Sequence, residues 1–153
     1  MTHERHERSD TARLALAATT HCLTGCGIGE VLGLGGATAL GLGNLASLLL
    51  GIVLAYAFGY GLTLVPLLRA GMPLLRASVI TFAAETLSIT TMEIVDNVVV
   101  VAIPGAMDAG IFDLLFWASL AVSLAIAFVA AYPVNLWLIA RGLGHARVHS
   151  QHA

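Results

Sequence analysis

Four long apolar stretches, parted by short runs rich in glycine and proline, constrain this chain more than any other feature. A helix crosses the hydrocarbon core of a bilayer with about 20 consecutive, mostly apolar residues. Stretches of that kind fall at about 12–36, 45–66, 77–103 and 114–139. The first is the least apolar and carries many glycines. The breaks sit where turn chemistry predicts them, in the Gly-rich 33–43, from Pro66 to Pro73, and from Pro104 to Gly110. Of 153 residues, 58 % are hydrophobic and only 10 % charged, whereas a soluble domain carries roughly a quarter charged residues. The expected fold class is therefore all-α, an integral membrane bundle of four transmembrane helices. An N-terminal tail (1–11) and a His-containing tail (141–153) should flank a helical domain over 12–140.

The N-terminus does not read as a cleavable signal. Residues 1–13 mix Arg5, Arg8 and Arg13 with Glu4, Glu7 and Asp10, and the apolar run that follows soon meets Thr19, Thr20 and His21. The first hydrophobic segment is thus expected to be retained. The arginines suggest an orientation. Arg5, Arg8 and Arg13 precede segment 1, Arg69 and Arg76 lie between segments 2 and 3, and Arg141 and Arg147 follow segment 4. An even number of spans puts them all on one side, so both termini should be cytoplasmic. Tyr132, Trp117 and Trp137, near the ends of segment 4, suit membrane interfaces. The net charge of −2 and the absence of lysine give no reason to expect a nucleic-acid partner.

Polar residues inside the apolar segments are the functional candidates. Segment 1 holds His21, Cys22, Cys26 and Glu30; segment 3 holds Glu85, Met92, Glu93, Asp96 and Asn97. An ionised carboxylate near the bilayer centre costs about 2.5–3.5 kcal/mol on insertion scales. Glu30, Glu85, Glu93 and Asp96 must therefore be paired, protonated, hydrated or bound to a cation. Cys22, Cys26 and Glu30 repeat every four residues and share one helical ridge. Gly25, Gly29 and Gly33 form the neighbouring ridge, a pattern that allows close helix approach. Glu85, Met92 and Asp96 point within a narrow arc, with Glu93 to one side. At 1.5 Å of rise per residue, His21 falls level with Glu85, Cys26 with Met92 and Glu93, and Glu30 with Asp96. Segments 1 and 3 are expected to face each other across a polar seam. Segment 2, with Gly51, Gly59 and Gly61, has no ionisable residue.

Cysteine and methionine are soft ligands and histidine is intermediate, a set that suits Cu(I) or Zn(II), while carboxylates suit harder ions and protons. His21, Cys22, Cys26, Met92 and Glu93 are the expected metal ligands. Glu30, Glu85, Asp96 and Asn97 would line an ion or proton path. The competing reading is a structural or accessory membrane subunit whose seam is a packing or proton-handling network. A thiol-oxidoreductase reading meets a geometric obstacle. Residues four apart on a helix have Cβ atoms about 5–6 Å apart, but a disulfide needs about 3.8 Å. Haem has His21 as its sole intramembrane histidine ligand. His3, His6, His145, His149 and His152 are spaced for loose metal capture or simply make polar tails. A bundle this small is expected to form a homo-oligomer if it encloses a path.

The segments His21-Cys22-Leu23-Thr24-Gly25-Cys26, Gly29-Glu30, Glu85-Thr86-Leu87-Ser88, Met92-Glu93-Ile94-Val95-Asp96-Asn97 and Pro104-Gly105-Ala106-Met107-Asp108 together resemble a bacterial four-helix membrane family. That family is known only as a domain of unknown function. The resemblance covers nearly the whole chain after residue 10. It implies an inner-membrane location and no established activity.

Overall fold

The computed structural model of the chain describes residues 2–141, with side chains from residue 9 onward. The described residues form α1 (Thr2–Ala39), α2 (Asn44–Arg69), α3 (Leu74–Ala102), a 3-10 turn (Ala106–Asp108) and α4 (Leu114–Ala140). The short connections force neighbours to run antiparallel. α1 packs on α2 and α4, α3 packs on the same two helices, and α1 and α3 meet across the diagonal. All described arginines then fall at one end of the bundle, because Arg13 and Arg76 lie early in α1 and α3 while Arg69 and Arg141 lie at the ends of α2 and α4. The other end is closed by the 3-10 turn, where Asn44 Nδ2 donates to Asp108 Oδ1 at 2.8 Å.

Several boundaries differ from the sequence expectation. α1 starts at Thr2 rather than near residue 12. Residues 2–24 contain neither glycine nor proline, so nothing breaks the helix at the start of the apolar run. The Gly-rich break shrinks to residues 40–43, where Gly41 takes a left-handed φ of 65°. α2 runs through Pro66 to Arg69 before turning at Gly71, whose φ is 82°. His145, His149 and His152, and the side chains of His3 and His6, lie outside the described residues.

Three helices, α2, α3 and α4, are long and apolar enough to cross a membrane. α1 is not, which corrects the expectation of four such segments. Its polar Thr19, Thr20, His21, Thr24 and Glu30, with its many glycines, dilute the leucines and valines. The surface is what a lipid environment suits. Large apolar side chains point outward, such as Leu75 at 79 % and Val129 at 72 % exposure, while the interior is lined by Ala55, Ala127 and Ala131 at 0 %. So much exposed apolar surface would be a liability in water. Trp117 and Trp137 sit half-exposed at the two ends of α4. Trp117 Nε1 donates to the Ile111 carbonyl at 2.8 Å, and the Arg141 guanidinium lies 4.4 Å over the Trp137 ring.

The tightest contact is between α1 and α2. The glycine ridge of α1 meets a second ridge of small residues, with Gly25 against Gly59, Gly29 against Ala55 and Gly33 against Gly51. A Cβ added at Gly29 would stand 2.5 Å from Ala55 Cα, and one at Gly33 2.5 Å from Gly51 Cα. Both neighbours are backbone and cannot rotate away. Gly29→Ala is expected to lower stability by about 1–3 kcal/mol, as overpacking does, read as loss of helicity in denaturing-detergent titrations. Gly35→Ala meets nothing within 4 Å and should leave the curve in place.

Candidate functional site

Turning its glycines toward α2 leaves α1 with Cys22, Cys26 and Glu30 facing the bundle interior. There they meet α3, and two polar clusters of different character result.

The first cluster lies toward the arginine end and joins all four helices. Cys22 Sγ donates to Glu85 Oε2 at 2.9 Å. Thr63 of α2 donates to Glu85 Oε1 at 2.8 Å and lies 3.1 Å from His21 Nε2. A hydroxyl has one proton to give, so His21 donates in that pair. Ser88 donates to Cys22 Sγ at 3.3 Å. Asn135 of α4 donates from Nδ2 to both Ser88 Oγ and Thr19 Oγ1, each at 2.9 Å. Every one of these side chains is buried except His21, which is half-buried. Two donor chains therefore run inward and end on Glu85, one from His21 through Thr63 and one from Asn135 through Ser88 and Cys22. Each buried polar group has a partner, the arrangement that limits the cost of burying it.

The second cluster lies toward the 3-10 turn. Glu93 of α3 reaches Cys26 and Glu30 of α1, and Asp96 stands close enough to act electrostatically on both glutamates. Asn97 Nδ2 donates to Glu93 Oε2 at 3.4 Å and to the Glu93 carbonyl at 2.8 Å. Ser123 of α4 lies within reach of Asp96 and also meets the Leu120 carbonyl of its own helix at 3.0 Å. Glu30 Oε1, Glu93 Oε1 and both Asp96 carboxylate oxygens are buried without a protein donor. Glu30 packs on the α2 backbone, where a Cβ at Gly51 would come within 3.0 Å of Oε2.

The structure thus brings His21, Cys22 and Glu85 into one cluster and Cys26, Glu30, Glu93, Asp96 and Asn97 into the other. Glu93, which the helical arc sets aside, is buried and central. Met92 is fully buried in the apolar cluster that contains Cys22 and Cys26. Both cysteines are free thiols, each against its own carboxyl group. Among the described residues, no group of three or more His, Cys, Asp and Glu side chains is placed to hold one metal ion. Sequence reasoning missed Thr19, Thr63, Ser88, Ser123 and Asn135. A signal was present, since Ser119, Ser123, Ala127, Ala131 and Asn135 repeat every four residues along α4 and all are buried.

Residues 12–144 match the protein family described as a domain of unknown function, DUF4396, and the chain belongs to that family. No curated protein and no solved structure matches it.

Asn135 ties α4 to both α1 and α3. Asn135→Ala should therefore cost about 1–2 kcal/mol on the scale of intramembrane hydrogen bonds, measured by denaturing-detergent unfolding. Thr20→Ala, whose hydroxyl bonds only the Leu16 carbonyl of its own helix, should leave the midpoint unchanged.

Proposed function

We propose that this DUF4396 chain is a multi-pass protein of the bacterial inner membrane, an accessory subunit whose interior polar column handles protons. α1 is the fourth span in this reading. Its polar face is covered by its own bundle, and residues 12–39 would extend about 42 Å at 1.5 Å per residue, ample for a bilayer core. Both termini are cytoplasmic, because the arginines gather at one end.

The observation that carries the reading is the direction of the hydrogen bonds. From half-buried His21 near the arginine end, donors lead through Thr63 to Glu85. A thiol that also donates to Glu85 sits one turn from Cys26, which touches Glu93. Glu93 in turn reaches Glu30, near the opposite end. Side chains that can each take up and release a proton therefore follow one another through the bundle. Intramembrane ionisable residues are by default functional groups, since an apolar residue is cheaper there.

In vesicles loaded with a pH-sensitive dye, an imposed potassium diffusion potential should drive proton flux that Glu85→Gln lowers at least tenfold. Flux from the wild-type protein no greater than from empty vesicles would defeat the proton reading.

A second reading keeps a soft metal ion, copper or zinc, as the cargo. It is favoured by the full burial of Cys22, Cys26 and Met92 in one cluster, with Glu93 beside Cys26. Two thiols one helical turn apart and a thioether packed with them form a soft donor set. Protein purified with thiols kept reduced should then carry near-stoichiometric copper or zinc that disappears in the Cys22→Ser/Cys26→Ser variant. Wild-type protein that stays metal-free after anaerobic Cu(I) and Zn(II) loading would remove this reading and leave the proton one.

A further inference from the structure

The two clusters differ in a way that hydrogen-bonded packing does not explain. Around Glu85 each carboxylate oxygen receives a donor. Around Glu93 and Asp96 the carboxylates are as deeply buried, with Glu93 at 4 % and Asp96 at 1 % exposure. Yet Glu30 Oε1, Glu93 Oε1, Asp96 Oδ1 and Asp96 Oδ2 receive no protein donor. Leaving such acceptors unmatched carries the desolvation penalty of the group with nothing to offset it, and the penalty is larger when the group is charged.

A cavity of about 50 Å³ adjoins Glu30 and is lined also by Asn97, Ser47, Ser119, Met107 and Phe116; Glu93 and Asp96 lie outside its lining and act on it through Glu30. That volume holds a few water molecules, since one needs about 10–15 Å³ by this measure. Its walls supply the polar partners water requires, and Glu30, Ser47, Asn97 and Met107 are each partly exposed at this end.

The charges facing the site are all of one sign. α1 contributes Glu30, with the Cys26 thiol below it; α3 contributes Glu93, Asp96 and the neutral Asn97; α4 contributes the hydroxyls of Ser119 and Ser123; α2 contributes Ser47. Asp108 of the 3-10 turn lies nearby and is engaged by Asn44. Among the described residues every arginine belongs to the far end of the bundle. Three interacting carboxyl groups without a basic partner must be neutralised by protons or by another cation.

The donor set says which kind. Carboxylate and amide oxygens select hard cations. No three of the acidic side chains converge on a single point, so solvent from the cavity must complete any coordination shell. Desolvating an ion in low dielectric is expensive, and the Born cost rises with the square of the charge. A singly charged ion that keeps part of its water fits these walls better than a stripped divalent one.

We infer that Glu30, Glu93 and Asp96, with the cavity that Glu30 lines, form a binding site for a small, partly hydrated monovalent cation, sodium or a hydrated proton. The inference rests on the proton-handling reading of the column and names the ion at its far end. It uses no thiol, so a failure here would leave the flux and metal-content measurements standing on their own.

Full-length protein in lipid nanodiscs is treated with dicyclohexylcarbodiimide, which modifies carboxyl groups that carry a proton, and the adducts are mapped by peptide mass spectrometry. The series runs over pH in choline, sodium or magnesium chloride at matched ionic strength. Modification is expected at Glu30 and should fall as pH rises. Sodium slowing it at least tenfold relative to choline identifies sodium as the ligand; equal rates in sodium and choline, with the fall in pH retained, identify the proton. Asp96→Asn should change the Glu30 rate in choline at least threefold, because the groups act together. The proposal is overturned if none of the three carboxyls reacts or if the Glu30 rate ignores both pH and salt. Protection by magnesium but not sodium, or an Asp96→Asn rate equal to wild type, would overturn it equally.

Discussion

The close approach of α1 to α2 is the contact on which the rest depends. Gly25, Gly29 and Gly33 bring the α1 backbone against Gly59, Ala55 and Gly51. In lipid the usual hydrophobic drive between helices is missing, so packing of small residues and interhelical hydrogen bonds hold a bundle together. Both act here, on adjoining ridges of one helix. Because the glycines point to α2, the ridge of Cys22, Cys26 and Glu30 points to the interior. A rotation of α1 by one ridge would carry Glu30 away from Glu93 and the Cys22 thiol away from Glu85. The glycine contact therefore sets which chemistry is inside.

The sequence made this geometry legible where periodicity is strong. Ridges at four-residue spacing predicted which α1 residues share a face, and the rise per residue predicted the levels at which α1 and α3 side chains meet. His21 linked to Glu85 through Thr63, Cys26 beside Glu93 and Glu30 coupled to Asp96 follow that layering. Glu93 stood outside the helical arc because an arc drawn for one helix ignores the reach of a long side chain toward a neighbour. Gly33, Gly35 and Gly36 read as a break because glycine has low helix propensity. The helix instead continues to Ala39, with Gly33 used for contact with Gly51.

Other features were not readable from the chain alone. Thr63 and Asn135 lie in segments whose apolar character drew attention away from single polar residues, yet they complete the cluster around Glu85. The partner of a buried hydroxyl depends on which helices are neighbours, and that order is set by packing. The same holds for the contrast between the two clusters. By composition both are carboxyl groups with a thiol, and only placement tells that one is matched with donors and the other is not.

That contrast bears on why the acidic residues are there. If Glu30, Glu93 and Asp96 served only to join helices, the arrangement around Glu85 shows how the same fold does so, with a hydroxyl or thiol aimed at each oxygen. A layer of Ala and Leu at the second level would hold the helices with less desolvation, since buried charge is weak evidence for stability. Ser123, within reach of Asp96, also meets the Leu120 carbonyl of its own helix, and Asn97 turns to Glu93. Asp96 thus shares a hydroxyl with a carbonyl, and neither of its oxygens has a close hydrogen bond. On the cation-site proposal, the unmatched Glu30 oxygen beside the water-sized cavity is where a positively charged ligand would enter, with Glu93 and Asp96 behind it to balance the charge.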